Sequence, residues 1–102
     1  MSILAGGSVT NSGNWVEPTL VACDSANKLS YQERFIPILY LTPVTSIEEA
    51  IMLNNLSEYG LSSSLFTQDI NQVFEWMGPN GADSGIVNVN VGTSGAEIGG
   101  AF

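Results

Sequence analysis

The sequence predicts an α/β fold in which a mostly parallel sheet follows the order β-α-β-α-β-α-β. Three observations lead to this prediction. Short apolar runs alternate with segments of helical periodicity, Ser-x-x-Glu capping boxes mark helix starts, and Gly or Pro residues separate the elements. Strands that alternate with helices at this spacing pair in parallel through right-handed crossovers. At 102 residues, the chain is one domain at most.

The first part of the chain predicts a turn, two strands and a short helical segment. Gly6 to Gly13 is rich in Gly, Ser and Asn, which favours a turn or hairpin tip. Trp15 to Ala22 is rich in β-formers and carries one proline, which is typical of an edge or terminal strand. A helical turn follows, with Ser30 as N-cap and Glu33 closing a capping box. Ile38 to Leu41 predicts a strand that is buried on both faces.

A second capping box, Ser46 to Glu49, opens the next predicted helix. This helix is expected to run to about Tyr59, where Gly60 can supply a left-handed C-cap. Its inner face is marked by three apolar residues, namely Ile47, Ala50 and Ile51.

The remaining elements are a strand, a helix and a last strand. Leu61 to Phe66 predicts an interior strand, and Asp69 can cap the helix that follows. Gly78 and Pro79 end this helix, and Ile86 to Val91 makes the last strand. The apolar residues of the helix fall at the spacing of one buried stripe, at Ile70, Val73, Phe74 and Met77.

Charge and hydropathy exclude several classes of partner. Ten acidic residues face two basic ones, Lys28 and Arg34, so contacts that neutralise phosphates cannot be assembled. Nucleic acid and anionic membranes are therefore not expected as partners. The longest apolar stretch, Ile36 to Val44, contains two prolines and is too short to span a bilayer. With no signal-peptide pattern at the N-terminus, the sequence predicts a cytoplasmic, soluble protein.

The chain contains one cysteine, Cys23, and no histidine. This excludes an internal disulfide, a zinc site built on Cys or His, and any Ser-His or Cys-His pair within these residues. No Lys or His lies near Cys23 in sequence to lower its pKa, so we interpret it as an ordinary small apolar or loop cysteine. No catalytic residue and no metal ligand is predicted within the chain.

Five segments match, in order, the motifs of one enzyme family. They are Asn14–Leu20 (aromatic-x-x-Pro-Thr), Gln32–Pro37 (Glu-x-Phe-Gly-Pro), Glu48–Ile51 with Asn54 and Asn55, Tyr59–Thr67 (Tyr-Gly-Leu, later Phe-Thr), and Ser94–Phe102. Together they resemble NAD-dependent aldehyde dehydrogenases, and the last segment resembles the antiquitin group, the α-aminoadipic semialdehyde dehydrogenases. One departure is Ile36, where the family has Gly and antiquitins tend to have Ala. Its larger side chain narrows the space where cofactor would lie.

The resemblance implies that the chain is the late part of a catalytic domain. The chemistry of the family is thiolate attack on an aldehyde, hydride transfer to NAD and thioester hydrolysis. Its nucleophilic cysteine, general-base glutamate and NAD-binding domain all precede the matched stretch. We therefore expect residues 1–102 to be a fragment of a longer enzyme and to be catalytically incomplete alone.

The resemblance also implies roles for two residues at a cofactor. Glu33 corresponds to the glutamate that accepts hydrogen bonds from the ribose hydroxyls of NAD, and Phe35 to the aromatic residue beside the nicotinamide. The alternatives are that Glu33 closes a capping box with Ser30, which is the favoured interpretation for the isolated chain, and that Phe35 belongs to the core. The choice between NAD and NADP remains open.

Three further residues are implied at the substrate. Gly95 and Ala96 match the loop that presents backbone amides to the substrate carboxylate, and Phe102 matches an aromatic residue that flanks its aliphatic chain. Small residues suit such a loop because they let an anion approach the N–H groups. The alternative is a flexible, glycine-rich terminus.

Two other functions compete with the fragment of a semialdehyde dehydrogenase. The first is a non-catalytic, self-associating α/β interaction module, which the apolar composition favours. The second, a small independent enzyme, lacks a nucleophile and base pair. We also expect a homo-oligomer, because three helices cannot cover both faces of a four-stranded sheet.

Overall fold

The structure is a computed structural model that describes residues 1–9 and 15–94. The α/β fold class is confirmed, with five strands, two α-helices and one 3-10 helix in the described ranges. In chain order they are β1 (Ser2–Ala5), β2 (Thr19–Ala22), the 3-10 helix (Lys28–Tyr31), β3 (Ile38–Leu41), α1 (Ile47–Asn55), β4 (Ser62–Leu65), α2 (Ile70–Met77) and β5 (Ile86–Val89).

The chain divides into two compact units, Met1–Pro43 and Val44–Phe102. In the first unit, a three-stranded sheet has the order β1-β2-β3, in which β2 lies parallel to β3 and antiparallel to β1. The strand β1 was not predicted. It pairs with β2 across the turn predicted near Gly6, and a bridge between Val9 and Val16 extends this antiparallel contact.

In the second unit, β4 and β5 form a parallel pair and the helices α1 and α2 complete the fold. Two of the three strand ladders are therefore parallel, as predicted, but they fall in two sheets and not in one. Among the described strands, β3 pairs only with β2 and β4 only with β5, so each ladder stays within its own unit.

The hydrophobic core is small and is divided between the units. Val21 and Cys23 are buried in the first unit, and Ile51 and Trp76 are buried in the second. The prediction that β3 is buried on both faces is wrong, because the side chains of Leu39 and Leu41, which lie on one face of the strand, are exposed. One face of β3 is covered within its unit and the other is not.

Helix α1 begins as predicted but ends earlier than expected. The Ser46 side chain accepts a hydrogen bond from the Glu49 backbone N–H (3.1 Å), which confirms the N-cap. The helix ends at Asn55 with Leu56 as a right-handed C-cap, so the prediction of a helix reaching Tyr59 is wrong. A serine side chain after the helix, at Ser57, accepts from the Tyr59 N–H and favours a turn over another helical residue. Gly60 does not have a positive φ.

Helix α2 has the predicted cap but buries a different face. Asp69 accepts a hydrogen bond from the Asn71 N–H (2.9 Å), and the helix ends before Gly78 as predicted. The predicted buried stripe is wrong, because Phe74 is 72% exposed while Trp76 is only 4% exposed. The indole is the largest apolar surface of this helix, and its burial turns the stripe outward. The side chains that this leaves exposed are Ile70, Phe74 and Met77.

Candidate functional site

A projecting segment, residues 33–36, lies between two anchors in the first unit. On its N-terminal side, the Gln32 N–H donates to the Leu29 carbonyl and closes the 3-10 helix. On its C-terminal side, the Pro37 carbonyl accepts from the Thr19 N–H (2.8 Å) and joins the sheet. Between these anchors the side chains are directed away from the core, since residues 33–36 are all exposed.

Glu33 does not close a capping box, so this part of the prediction is wrong. The N-cap of the 3-10 helix is Asn27, whose side chain accepts from the Leu29 N–H (3.0 Å). Ser30 lies inside the helix and its hydroxyl donates to the Asn27 carbonyl (2.8 Å). The Glu33 carboxylate accepts no hydrogen bond from the residues that the structure describes. It is therefore available to accept from an external donor.

Phe35 is not a core residue, because its side chain is 93% exposed. Its backbone is left-handed (φ 51°), a conformation that bulky residues rarely adopt. Such a conformation costs of order 1–3 kcal/mol and persists only where its surroundings impose it. The following residues supply such a constraint, because the Ile38 N–H donates to the Ile36 carbonyl (2.8 Å) in a tight turn at Pro37.

The projecting segment borders an apolar groove on the first sheet. The groove has a volume of about 510 Å³ and is lined by Ala5, Pro18, Thr19, Leu20, Ile36, Pro37, Ile38 and Leu39. Ile36 belongs both to the segment and to the groove. A free carboxylate, an exposed aromatic ring and an apolar groove can together receive a ligand with hydroxyl groups and a planar ring.

Residues of the predicted substrate loop, Gly95, Ala96 and Phe102, lie outside the described residues. The strand that leads to them, β5, ends beside β4 in a group of side-chain hydrogen bonds. Sequence reasoning missed the central residue of this group, Asn90. The available signal was the Asn-x-Asn pattern at the end of the last apolar run.

Cys23 is buried, with 6% of its surface exposed, and its Sγ lies 3.3 Å from the Thr42 hydroxyl. Its backbone N–H donates to the Leu41 carbonyl, which extends the ladder between β2 and β3. These contacts fit the prediction of a structural cysteine.

Two glutamates in the second unit have shifted pKa values. The Thr45 backbone N–H and hydroxyl both donate to Glu49 (2.8 and 2.9 Å) and lower the pKa of its carboxyl. Loss of hydration, and then the nearby carboxylates of Glu48 and Asp69, raise the pKa of Glu75. Glu48 and Glu75 lie at one groove between α1 and α2.

Neither a metal site nor a membrane span is found in the described part of the chain. Within residues 1–9 and 15–94, no three Cys, Asp or Glu side chains are grouped closely enough to hold a metal ion. None of the helices in those ranges is long and apolar enough to cross a membrane.

Comparison with known proteins places these features in a wider context. Residues 1–102 match the aldehyde dehydrogenase family. A protein of Malus domestica called aldehyde dehydrogenase family 7 member A1 is 54% identical over 98% of this chain, which is 20% of that protein. The alpha-aminoadipic semialdehyde dehydrogenase of Bos taurus is 48% identical over 99% of this chain and 19% of the bovine protein.

A solved structure agrees with the sequence relatives. The crystal structure of PnpE from Pseudomonas sp. WBC-3 matches with a TM-score of 0.80 and 29% identity, over 93% of this chain and 20% of PnpE. In each case the chain spans about a fifth of the protein that it matches.

Proposed function

The chain belongs to the aldehyde dehydrogenase family, and from this premise we propose that it forms the late part of the catalytic domain of an NAD-dependent semialdehyde dehydrogenase. The single observation that carries the proposal is the projecting segment, where Glu33 and Phe35 are both exposed and lie two residues apart. The name of the bovine relative, at 48% identity, supports a semialdehyde as the substrate.

The projecting segment fits the nicotinamide half of the cofactor. The Glu33 carboxylate can accept hydrogen bonds from two neighbouring ribose hydroxyls, and it is not engaged by other described residues. The exposed Phe35 ring offers a flat apolar surface against which a planar ring can pack. NAD supplies the hydride acceptor when it is bound. The residues of this chain hold and orient it.

Among the described contacts, the neighbouring arginine does not pair with the Glu33 carboxylate. Arg34 Nη2 donates to Gln32 Oε1 (2.6 Å), which turns the guanidinium back toward the 3-10 helix. This arrangement leaves the Glu33 carboxylate as the charged group of the segment that is open to hydroxyl donors.

The substrate would be received by the loop that follows β5. We assign the backbone amides of Gly95 and Ala96 to the substrate carboxylate and the Phe102 ring to its aliphatic chain. The family resemblance of Ser94–Phe102 supports this assignment. Small residues at 95 and 96 allow close approach of an anion to the N–H groups.

The chain is expected to need further groups for chemistry. It contains no histidine, and Cys23 is buried against Thr42 rather than presented to a ligand. We therefore assign binding and orientation to these residues. The nucleophile and the general base are assigned to other parts of the longer enzyme.

The role of Glu33 is tested by the substitution Glu33→Gln in the longer protein that carries this segment. Loss of the charged acceptor is expected to weaken NAD affinity by about 10- to 100-fold, which corresponds to roughly 1.5–3 kcal/mol for a charge-assisted contact. Isothermal titration with NAD measures this directly, and circular dichroism checks the fold.

Glu58→Gln is the matched control, because Glu58 is also exposed and lies in the loop after α1. It makes the same change of charge away from the segment. NAD affinity that is equal in wild type and Glu33→Gln would contradict the assignment of Glu33. A wild-type protein that oxidises no aldehyde would contradict the proposed function as a whole.

A further inference from the structure

The backbone ladder between β4 and β5 ends at Asn90. The Asn90 N–H donates to the Leu65 carbonyl (2.8 Å), which is the last backbone hydrogen bond of this ladder. At the same residue, φ is 57°, so the chain turns out of the sheet. Asparagine tolerates this left-handed conformation better than most residues because its short side chain can hydrogen-bond locally.

The side chain of Asn90 then takes the place of the next strand residue. Its Oδ1 accepts from the Thr67 N–H (2.8 Å), and its Nδ2 donates to the Thr67 carbonyl (3.0 Å). A carboxamide carries one acceptor and two donors, as a peptide group carries an acceptor and a donor, so it can pair with both backbone groups of one residue. The sheet is therefore extended by a side chain after the backbone has left it.

Two further side chains hold the residues that leave the sheet. Ser64 Oγ hydrogen-bonds to the Val91 carbonyl, and Asn88 Nδ2 donates to the Gly92 carbonyl (3.1 Å). One of these comes from β4 and the other from β5. The direction of residues 91 and 92 is thus fixed from both strands.

The partner of Asn90 is itself held in place. The Thr67 hydroxyl hydrogen-bonds to the Gln72 side chain (2.5 Å) and accepts from the Asp69 N–H (3.1 Å). Asp69 is the N-cap of α2. Asn90 is therefore hydrogen-bonded to a residue that is itself tied to the N-terminus of α2.

We propose that Asn90 is a positioning residue that sets the path of residues 91–94, which precede Gly95 in the sequence. The placement of residues 91–94 rests on the contacts above. The consequence for substrate rests on the proposed function, in which the amides of Gly95 and Ala96 receive the substrate carboxylate. Asn90 itself acts through the backbone and is not assigned a contact with substrate.

The test compares Asn90→Gly with the wild type in the longer protein that carries this segment. Glycine keeps the left-handed backbone but removes both side-chain hydrogen bonds. In the absence of any ligand, amide hydrogen exchange at Thr67 is expected to become at least about tenfold faster, since its N–H loses the hydrogen bond to Asn90 Oδ1.

The same variant is then assayed with a semialdehyde that bears a carboxylate and with an uncharged aldehyde of equal chain length. The KM for the carboxylate substrate is expected to rise about tenfold, while kcat changes by less than about twofold and the KM for the uncharged aldehyde stays within about twofold. Asn71→Ala is the matched control, because it removes an exposed asparagine side chain from α2. It should alter neither measurement.

The outcomes separate this inference from the proposed function. Unchanged amide exchange in Asn90→Gly would overturn the positioning role, whatever the activity. Faster exchange with an equal rise of KM for both aldehydes, or with a fall in kcat alone, would also overturn it. A wild type without aldehyde oxidation would overturn the proposed function and the substrate consequence together. If Asn90→Gly fails to fold, Asn88→Ala removes the hydrogen bond to the Gly92 carbonyl and should raise the KM for the carboxylate substrate by a smaller factor.

Discussion

Phe35 and Asn90 are the two non-glycine residues with positive φ (51° and 57°) in the part of the chain that the structure describes. For Asn90 the side chain compensates for this conformation with two hydrogen bonds to Thr67. For Phe35 no such compensation is expected, because a phenyl ring neither donates nor accepts conventional hydrogen bonds and is almost fully exposed. A strained residue that presents an apolar ring to solvent is consistent with selection for ligand contact over stability.

The strain at Phe35 leads to a prediction about stability. The clash between Cβ and the left-handed backbone costs about 1–2 kcal/mol, and replacement by glycine removes it. Glycine also loses more conformational entropy on folding, but this destabilising effect is smaller. We expect Phe35→Gly to raise the free energy of unfolding by about 0.5–1 kcal/mol while weakening cofactor affinity. Urea denaturation measures the first effect and titration with NAD the second.

The control for this substitution is Leu61→Gly. Leu61 is exposed and lies outside helices and strands, but its φ is not positive. At this position glycine relieves no strain and only raises the conformational entropy of the unfolded chain, so the free energy of unfolding should fall slightly. If Phe35→Gly lost as much stability as Leu61→Gly, the left-handed backbone would not be a source of strain.

At the scale of elements, the helix starts could be predicted from sequence because an N-cap is a local interaction. Ser46 and Asp69 each lie within three residues of the N–H group that they accept from. The buried face of α2 could not be predicted in this way. A stripe of four apolar residues and one tryptophan compete for the same interior, and only the packing of the whole unit decides between them.

The same distinction applies to the candidate site. Glu33 and Phe35 lie within one short motif, so a resemblance was sufficient to single them out. The pairing of Asn90 with Thr67 joins residues 23 positions apart, and the Asn-x-Asn pattern that singles out Asn90 does not indicate which residue is its partner. The capping role expected for Ser30 failed because Asn27, three residues earlier, offered a competing cap to the same helical turn.

The groove between α1 and α2 leads to a prediction about pH. Loss of hydration and the charges of Glu48 and Asp69 raise the pKa of Glu75 above its ordinary value of 4.5. The folded chain therefore binds a proton at Glu75 more tightly than the unfolded chain does, and it loses stability as the pH rises through the raised pKa. Glu75→Gln removes this loss, so its melting temperature should exceed that of the wild type at pH 7.

The advantage of Glu75→Gln should disappear below about pH 4, where the carboxyl is protonated in both states. Thermal melts between pH 4 and pH 8 measure the difference. Glu49 provides a contrast with the opposite sign, because hydrogen bonds from Thr45 lower its pKa. Its stabilising contribution is present above pH 4.5 and is lost as the pH falls through the lowered pKa, so Glu49→Gln should be less stable than the wild type at pH 7. A Glu75→Gln variant that melts below the wild type at pH 7 would contradict the assigned environment.

For the whole molecule, the balance between buried and exposed apolar surface indicates association. Among the described residues, the buried apolar core consists of Val21, Cys23, Ile51 and Trp76, whereas many large apolar side chains are exposed. On α2, the stripe of Ile70, Phe74 and Met77 lies on one exposed helix face. Exposed apolar stripes of this kind are typical of surfaces that are covered by another chain or by another part of the same protein.

We therefore expect the 102-residue chain to form a dimer or larger oligomer at micromolar concentrations, measured by sedimentation velocity. A two-fold arrangement lets one stripe on α2 pack against its own copy. The net charge of −8 opposes this association. Because the Debye length falls to about 3 Å at 1 M salt, added NaCl should strengthen the oligomer, which is the opposite of the effect expected for association through ion pairs.

Phe74→Glu places a charge in the stripe and should shift the chain toward monomer, whereas Tyr59→Glu adds the same charge at an exposed site outside the stripe and should have a much smaller effect. A wild type that remains monomeric at all salt concentrations, or equal effects of the two substitutions, would show that the stripe on α2 does not mediate self-association.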